Sequence, residues 1–306
     1  MNRPAIAAAT GRRGLSTFTK EALWAYLFIA PTLVGIVVFN LLPIGASLLI
    51  SLTNWDILTE ARFVGLQNYA DMLGDKLFRA SFRNIFYYTF VSVPASILVP
   101  FVLALLMNNK LRGIVFFRAC YFLPAITSTV AISTVWYWMY NPDYGLINMA
   151  IYQIFGVVGP SWLGSTQWAM PAIIIMSIWK GSGYNMVIFL AALQGVPQEL
   201  YESARIDGAS WWRQLRHITI PMVSPTTFFI LIISIISSFQ MFEQTYVMTK
   251  GGPAYATLSL VFYTYQQAFD YFRMGYASAL AWVLFAVIMV FSFIQMAYQK
   301  KWVHYN

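Results

Sequence analysis

The sequence predicts an all-α membrane protein: six membrane-spanning helices, with a short helix, a turn and a second helix standing out between the fourth and the fifth. Three observations predict it. Of 306 residues, 59% are hydrophobic and only 10% are charged, whereas a domain surrounded by water carries about 25% charge. The mean hydropathy is +0.62, and runs long enough for a span of about 20 residues recur six times. Those runs are continuous, as in Ile230–Ile236, unlike the alternating segments of about 10 residues in a membrane barrel.

In order, the spans run from Trp24 to Leu52, Ile85 to Met107, Ile114 to Tyr140, Trp168 to Leu193, Thr226 to Met248 and Tyr276 to Tyr298. Prolines 31, 43, 94, 100 and 124 fall inside the first three. Each removes a helical hydrogen bond and bends the axis, which fits helices curved around a cavity and equally fits kinks that improve packing. Residues 1–23 form a basic leading segment, 24–298 the membrane domain with its loop at 197–221, and 299–306 a tail. The first apolar run is too long for a secretory signal and has no small-residue cleavage site, so it reads as an uncleaved span.

Charge sets the orientation. One side carries Arg3, Arg12, Arg13, Lys20, Lys110, Arg112, Arg118, Arg205, Arg213, Arg216, Lys300 and Lys301; the other carries Arg62, Lys76, Arg79, Arg83, Lys250 and Arg273. The excess of Lys and Arg places both termini in the cytoplasm. The net charge of +8 then follows from topology, and a nucleic-acid partner is not expected. One cysteine, Cys120, and two distant histidines, His217 and His304, exclude an internal disulfide and leave no Cys/His zinc cluster. Cys120 reads as a small buried apolar residue.

The loop Pro197–Pro221 holds the strongest local pattern. Leu200, Ser203, Ala204 and Ile206 form a small, apolar face of a short helix, with Glu199, Glu202 and Arg205 on its other side. Asp207-Gly208 reads as a break, and Ser210 as the cap of a second helix through Trp211, Trp212, Leu215 and Ile218 until Pro221 begins the next span. Exposed tryptophans on so short an element suit insertion into a partner's groove.

This stretch resembles the EAA loop of the inner-membrane permease subunits of binding-protein-dependent ABC importers. That family's Glu-Ala-Ala, followed after three residues by Gly and then by a hydrophobic-Pro ending, appears here as Glu202-Ser203-Ala204, Asp207-Gly208-Ala209, Ile218, Ile220 and Pro221. Ser203 departs from the pattern, small for small. Phe63–Tyr69, Leu123-Pro124-Ala125, Ala192–Pro197 and Thr249–Pro253 extend the resemblance to the carbohydrate branch, of the maltose and glycerol-phosphate type; the first two of these segments and a tail ending in Lys300–Asn306 without a glycine-rich extension resemble the first of its two permease types. The resemblance implies a second permease subunit, two ATP-binding subunits docked on the loop and an extracytoplasmic sugar-binding protein, in the cytoplasmic (inner) membrane of a bacterium or archaeon. It implies import of a sugar, of di- or oligosaccharide class. No Gly-Lys pair occurs, so a phosphate-binding loop is missing. This chain is expected to bind no cofactor, with ATP and Mg on the partner subunits, and to be a transport subunit rather than an enzyme. A self-contained secondary carrier is the alternative.

Polar groups inside spans mark pathways or helix contacts. In the fourth span Trp179, Lys180, Tyr184 and Asn185 supply an aromatic ring, a charge and an amide suited to a sugar. Lys180 is alternatively paired with a carboxylate such as Glu243. In the fifth span Gln240, Glu243 and Gln244 follow Ser237, with Ser237, Gln240 and Gln244 expected on one face. Asp270 and Arg273 read as a local pair.

Overall fold

A computed structural model describes residues 17–109 and 112–303. The readings that fall on Arg3, Arg12, Arg13, Lys110 and His304 lie outside the described residues. The described residues fall into two compact units, divided between Leu49 and Ile50.

In the first, α1 (Thr17–Ile36) passes through a π-helical turn at Val37–Leu41 into α2 (Leu42–Ser51), whose last two residues fall past the division. Pro43 has no amide hydrogen, and its ring crowds the carbonyl one turn back. The wider turn answers this, with the Leu42 N–H reaching the Val37 carbonyl. The span runs Trp24–Ser51.

The second unit contains α3 (Gln67–Gly74), α4 (Lys76–Met107), α5 (Ile114–Ile126), α6 (Thr129–Met139), α7 (Leu146–Phe155), α8 (Ala169–Gln194) and α9 (Gln198–Ile206). It continues through α10 (Trp211–Gln214), a π turn at Leu215–Thr219, α11 (Ile220–Met222), α12 (Ser224–Phe239), α13 (Glu243–Met248), α14 (Leu260–Tyr265), a π turn at Gln266–Asp270 and α15 (Met274–Gln299). Thr53 and Phe63 form an isolated β-bridge.

Among the described residues four helices are long and apolar enough to cross a membrane, and up to six if each bent pair is one span. The expectation of continuous third and fifth spans is therefore corrected. α5 and α6 meet at 100°, because Thr127 and Ser128 are extended. Thr127 Oγ1 donates to the Leu123 carbonyl at 2.9 Å, while its N–H turns back to the Pro124 carbonyl at 3.3 Å. The fifth span stops at Phe239, where Gln240 N–H and Met241 N–H fold back onto the Ser237 and Ser238 carbonyls. Cys120 is exposed on α5, not buried as expected. Arg273 lies over the Tyr276 ring at 4.8 Å and reaches Gln267 Oε1 at 3.4 Å, rather than pairing with Asp270.

Two apolar cores lie at different depths along α4, α8 and α12. One gathers Ile85, Tyr88, Ile173, Met176 and Phe239; the other gathers Ala104, Met107, Met186, Phe189, Leu193 and Ile230. Between Met176 and Met186, α8 comes close to α5, and a Cβ at Gly183 would collide with the Tyr121 carbonyl. Glycine is required there by this approach of two backbones.

At the end of α4 remote from Met107, Asp75 caps the helix: its Oδ1 accepts from Leu77 N–H at 2.8 Å. Its Oδ2 accepts the hydroxyl of Tyr276 at 2.6 Å and that of Tyr263. Partial burial pushes the Asp75 carboxyl up, but the tyrosine hydroxyls and the backbone donors of Leu77 and Phe78 outweigh it and hold it below its ordinary value.

Two outcomes follow from this packing. Gly183→Leu reduces the folded protein recovered from membranes, an overpacking cost of about 1–3 kcal/mol or more, whereas Gly74→Ala, with open space around its Cβ position, does not; equal recovery of both contradicts the close approach. Because the Asp75 pKa is depressed in the folded state, its stabilisation is present above the unfolded value and is lost as pH falls through the folded one. Thermal stability of the parent protein in detergent should fall on acidification below about pH 4, and Asp75→Asn should flatten that fall.

Candidate functional site

A cavity of about 440 Å³ lies between the two cores. α4 contributes Tyr88, Ser92 and Ser96, four residues apart and so on one helical face. α8 contributes Ser177, Lys180, Gly181, Tyr184 and Asn185, and α12 contributes Ser234, Ser237 and Ser238. Ala125 and Thr129, on either side of the break between α5 and α6, Gln244 of α13, and the apolar Ile178 of α8 and Ile233 of α12 complete the wall. Hydroxyls dominate it. Thr89 Oγ1 and Ser238 Oγ lie 2.9 Å apart and tie α4 to α12.

Of the residues singled out in the sequence, Lys180, Tyr184, Asn185 and Gln244 come together here. Trp179 does not: it lines an apolar groove with Ile132, Val135 and Trp136, its ring 5.4 Å from that of Trp136. Neighbouring helical residues point about 100° apart, so Trp179 and Lys180 cannot share a face. Gln240 and Glu243 are exposed and stand outside the cavity lining, because the turn at 240–242 ends the helical register that would have aligned Ser237 with Gln240. No carboxylate is among the lining residues, so the expected partnership of Lys180 with Glu243 is absent from the described cavity.

Asn185 has a second task. Its Nδ2 donates to the Ser96 carbonyl at 2.9 Å. Ser96 stands four residues before Pro100, so its carbonyl lacks its helical donor. The amide replaces the bond.

At the other landmark, α9 ends with the Ala209 N–H on the Ala204 carbonyl at 2.8 Å and the Gly208 N–H on that of Arg205 at 3.0 Å. Gly208 has φ +75°, the left-handed conformation this helix ending uses. Ser210 occupies the cap position of α10 but its side chain makes no capping bond; instead Gln214 Nε2 donates to the Ala209 carbonyl at 2.9 Å. Tyr201 Oη and Thr219 Oγ1, 3.0 Å apart, tie the two arms together. Tyr201 and Ala204 are the half-buried residues of α9, whereas Leu200, Ser203 and Ile206 are exposed with Glu202 and Asp207. The small, apolar face is presented outward in part, with Ile206 87%, Trp212 71% and Trp211 57% exposed. His217, also exposed, rests Nδ1 on the Arg213 carbonyl. Pro221 lies inside the helical arm rather than at the start of a span: the Ile220 N–H reaches the Leu215 carbonyl across the π turn, and the arm bends by 63° into α12.

Polar groups are tolerated at mid-span where they line a cavity or meet partners, and this chain groups them around one cavity, as a membrane permease does. The chain belongs to the family described as binding-protein-dependent transport system inner membrane component, which it matches over residues 70–304. It is similar to the arabinooligosaccharides transport system permease protein AraP of Bacillus subtilis (strain 168), with 37% identity over 298 residues, 96% of this chain and 93% of that one. It is also similar to the lactose transport system permease protein LacF of Rhizobium radiobacter, with 36% identity over 295 residues, 94% of this chain and 97% of that one. Its fold is similar to a chain of the bacterial alginate ABC transporter in complex with alginate pentasaccharide-bound periplasmic protein, at TM-score 0.83 and 21% identity, covering 94% of this chain and 97% of that one.

Asn185→Leu and Asn185→Asp both remove the donor to Ser96 and should lower the thermal stability of the purified protein by about 1–3 kcal/mol. Asn185→Gln, which keeps an amide, should lose less. An Asn185→Asp protein as stable as the parent would remove the amide from this role.

Proposed function

We propose that this chain, paired with a second permease subunit, forms the pathway for ATP-driven import of a sugar of di- or oligosaccharide class. An extracytoplasmic sugar-binding protein delivers the sugar, and two ATP-binding subunits dock on the hairpin of α9 to α11. The observation that carries this reading is the open, hydroxyl-rich cavity that lies between two apolar cores, with an aromatic ring and an amide in its wall. Such a lining exchanges hydrogen bonds with a polyhydroxyl solute without holding it too tightly to leave. The names of AraP and LacF support a sugar. Within the cavity Lys180, Tyr184, Asn185 and Gln244 face the solute, and Trp179, Gln240 and Glu243 act outside it.

In this reading Glu202, Ser203, Ala204, Asp207, Gly208, Ala209 and Pro221 belong to the coupling hairpin, whose exposed Ile206, Trp211 and Trp212 enter the ATP-binding partners. This chain itself holds no cofactor; ATP and Mg reside on the partner subunits. Both termini lie in the cytoplasm and the chain spans the inner membrane, in contact with lipid. The excess of Lys and Arg in the sequence segments assigned to the cytoplasmic side, twelve against six, supports this sidedness.

A Cβ at Gly208 meets nothing within 4 Å, so a substitution there acts through the backbone alone. Gly208→Val should cost roughly 1–2 kcal/mol in the turn, misdirect the hairpin, and reduce sugar uptake by cells expressing the complete transporter. Gly208→Asn, which accepts positive φ more readily, should retain most of it. Uptake by Gly208→Val at the parental rate would sink the coupling role, and concentrative uptake by this chain alone would favour a secondary carrier.

A further inference from the structure

The cavity contains one feature that a pathway for neutral sugars does not need. Lys180 lines it from the middle of α8, and no Asp or Glu is among the lining residues. Lys180 is half-buried in a helix with no other charged residue, where an unpaired ammonium is costly and is met by an anion or by water. Serine hydroxyls and the Gln244 amide of the wall offer hydrogen bonds to any sugar, but a neutral sugar offers Lys180 no counter-charge. A sugar bearing a carboxylate does, through a hydrogen bond in which both partners are charged and which is about twice as strong as a neutral one. One lysine matches the single charge of one carboxylate; a phosphate ester, with nearly two charges at neutral pH, would leave the excess unpaired in this wall.

We propose that Lys180 makes the cavity selective for acidic oligosaccharides, pairing its ammonium with the carboxylate of a uronate residue while the hydroxyl wall and the Tyr184 ring hold the remainder of the sugar. This inference rests on the cavity being the sugar pathway, and deepens that reading by naming the substrate class.

The test uses the complete transporter, both permeases and both ATP-binding subunits, in lipid nanodiscs without the binding protein. Binding is followed by saturation-transfer NMR with trigalacturonate and with the same trisaccharide after reduction of its carboxylates to alcohols. The parent complex should bind the acid at least about tenfold more tightly, the fold-change that corresponds to about 1.4 kcal/mol. Lys180→Gln and Lys180→Met should abolish that preference, Lys180→Arg should keep it, and Gln244→Ala should weaken both sugars alike. If Gln244→Ala weakens both sugars but the parent shows no preference, or the preference survives in Lys180→Gln, the acidic class is overturned and the pathway stands. Should neither sugar bind, or Gln244→Ala leave both unchanged, the pathway reading fails and the inference falls with it.

Discussion

Asn185 gives its side-chain amide to the Ser96 carbonyl, the group that Pro100 leaves without a helical donor, and much of the membrane domain follows the same logic. In hydrocarbon a backbone group without a partner costs several kcal/mol, so each proline in a span needs a local remedy. At three of the prolines the remedy is visible, and it is of two kinds. At Pro100 a neighbouring helix supplies the missing donor, whereas at Pro43 and Pro221 the chain widens to a π turn that ends two residues before the proline in both cases. The first remedy fastens α8 to α4 at the level of the cavity; the second leaves the helix continuous. Where a helix is interrupted outright, at Thr127-Ser128 and at Gln240, the break is bordered by residues that line the cavity, as expected if irregular backbone survives at membrane depth only around polar space.

The six apolar runs were legible because a span needs only length and a shortage of charge. The breaks were not: the residues that are extended at the first are Thr and Ser, and those that turn at the second are Gln, Met and Phe, with no glycine or proline among them to announce a stop. The cavity wall was half legible. Lys180, Tyr184, Asn185 and Gln244 stood out as polar groups in apolar surroundings, but Tyr88, Ser92 and Ser96 were passed over although their spacing of four puts them on one face. Serine in a span is also a small residue for close helix packing, so its presence alone does not separate a polar wall from a tight contact. Trp179 was misplaced by reading chemistry without direction, since a residue adjacent to Lys180 faces elsewhere.

The hairpin shows the same division between what composition carries and what only packing decides. Its glycine, its length and its tryptophans identify a turn between two short helices. Which side faces the protein is set by Tyr201, which packs against the core around Leu193 and Val223 and meets Thr219 across the turn. That contact joins residues 18 positions apart, beyond any helical periodicity. With Tyr201 and Ala204 turned inward, Ile206 is left outside.

Because Tyr201 and Thr219 join its arms, the hairpin cannot flex at Gly208 without breaking that bond, and the helix from Trp211 to Met222 carries any displacement of the tip to the bend before α12. From Val223 the tip lies 12 residues away and Ser237 lies 14 residues away on the other side, about 18 Å and about 21 Å of helix. These are the two arms of a nearly balanced lever pivoting at Val223, which is itself buried. In the proposed coupling role its mechanical advantage would be close to one: a shift of a few ångströms imposed at Trp211 would reach the serine wall of α12 at nearly full size, with neither amplification nor fine alignment required.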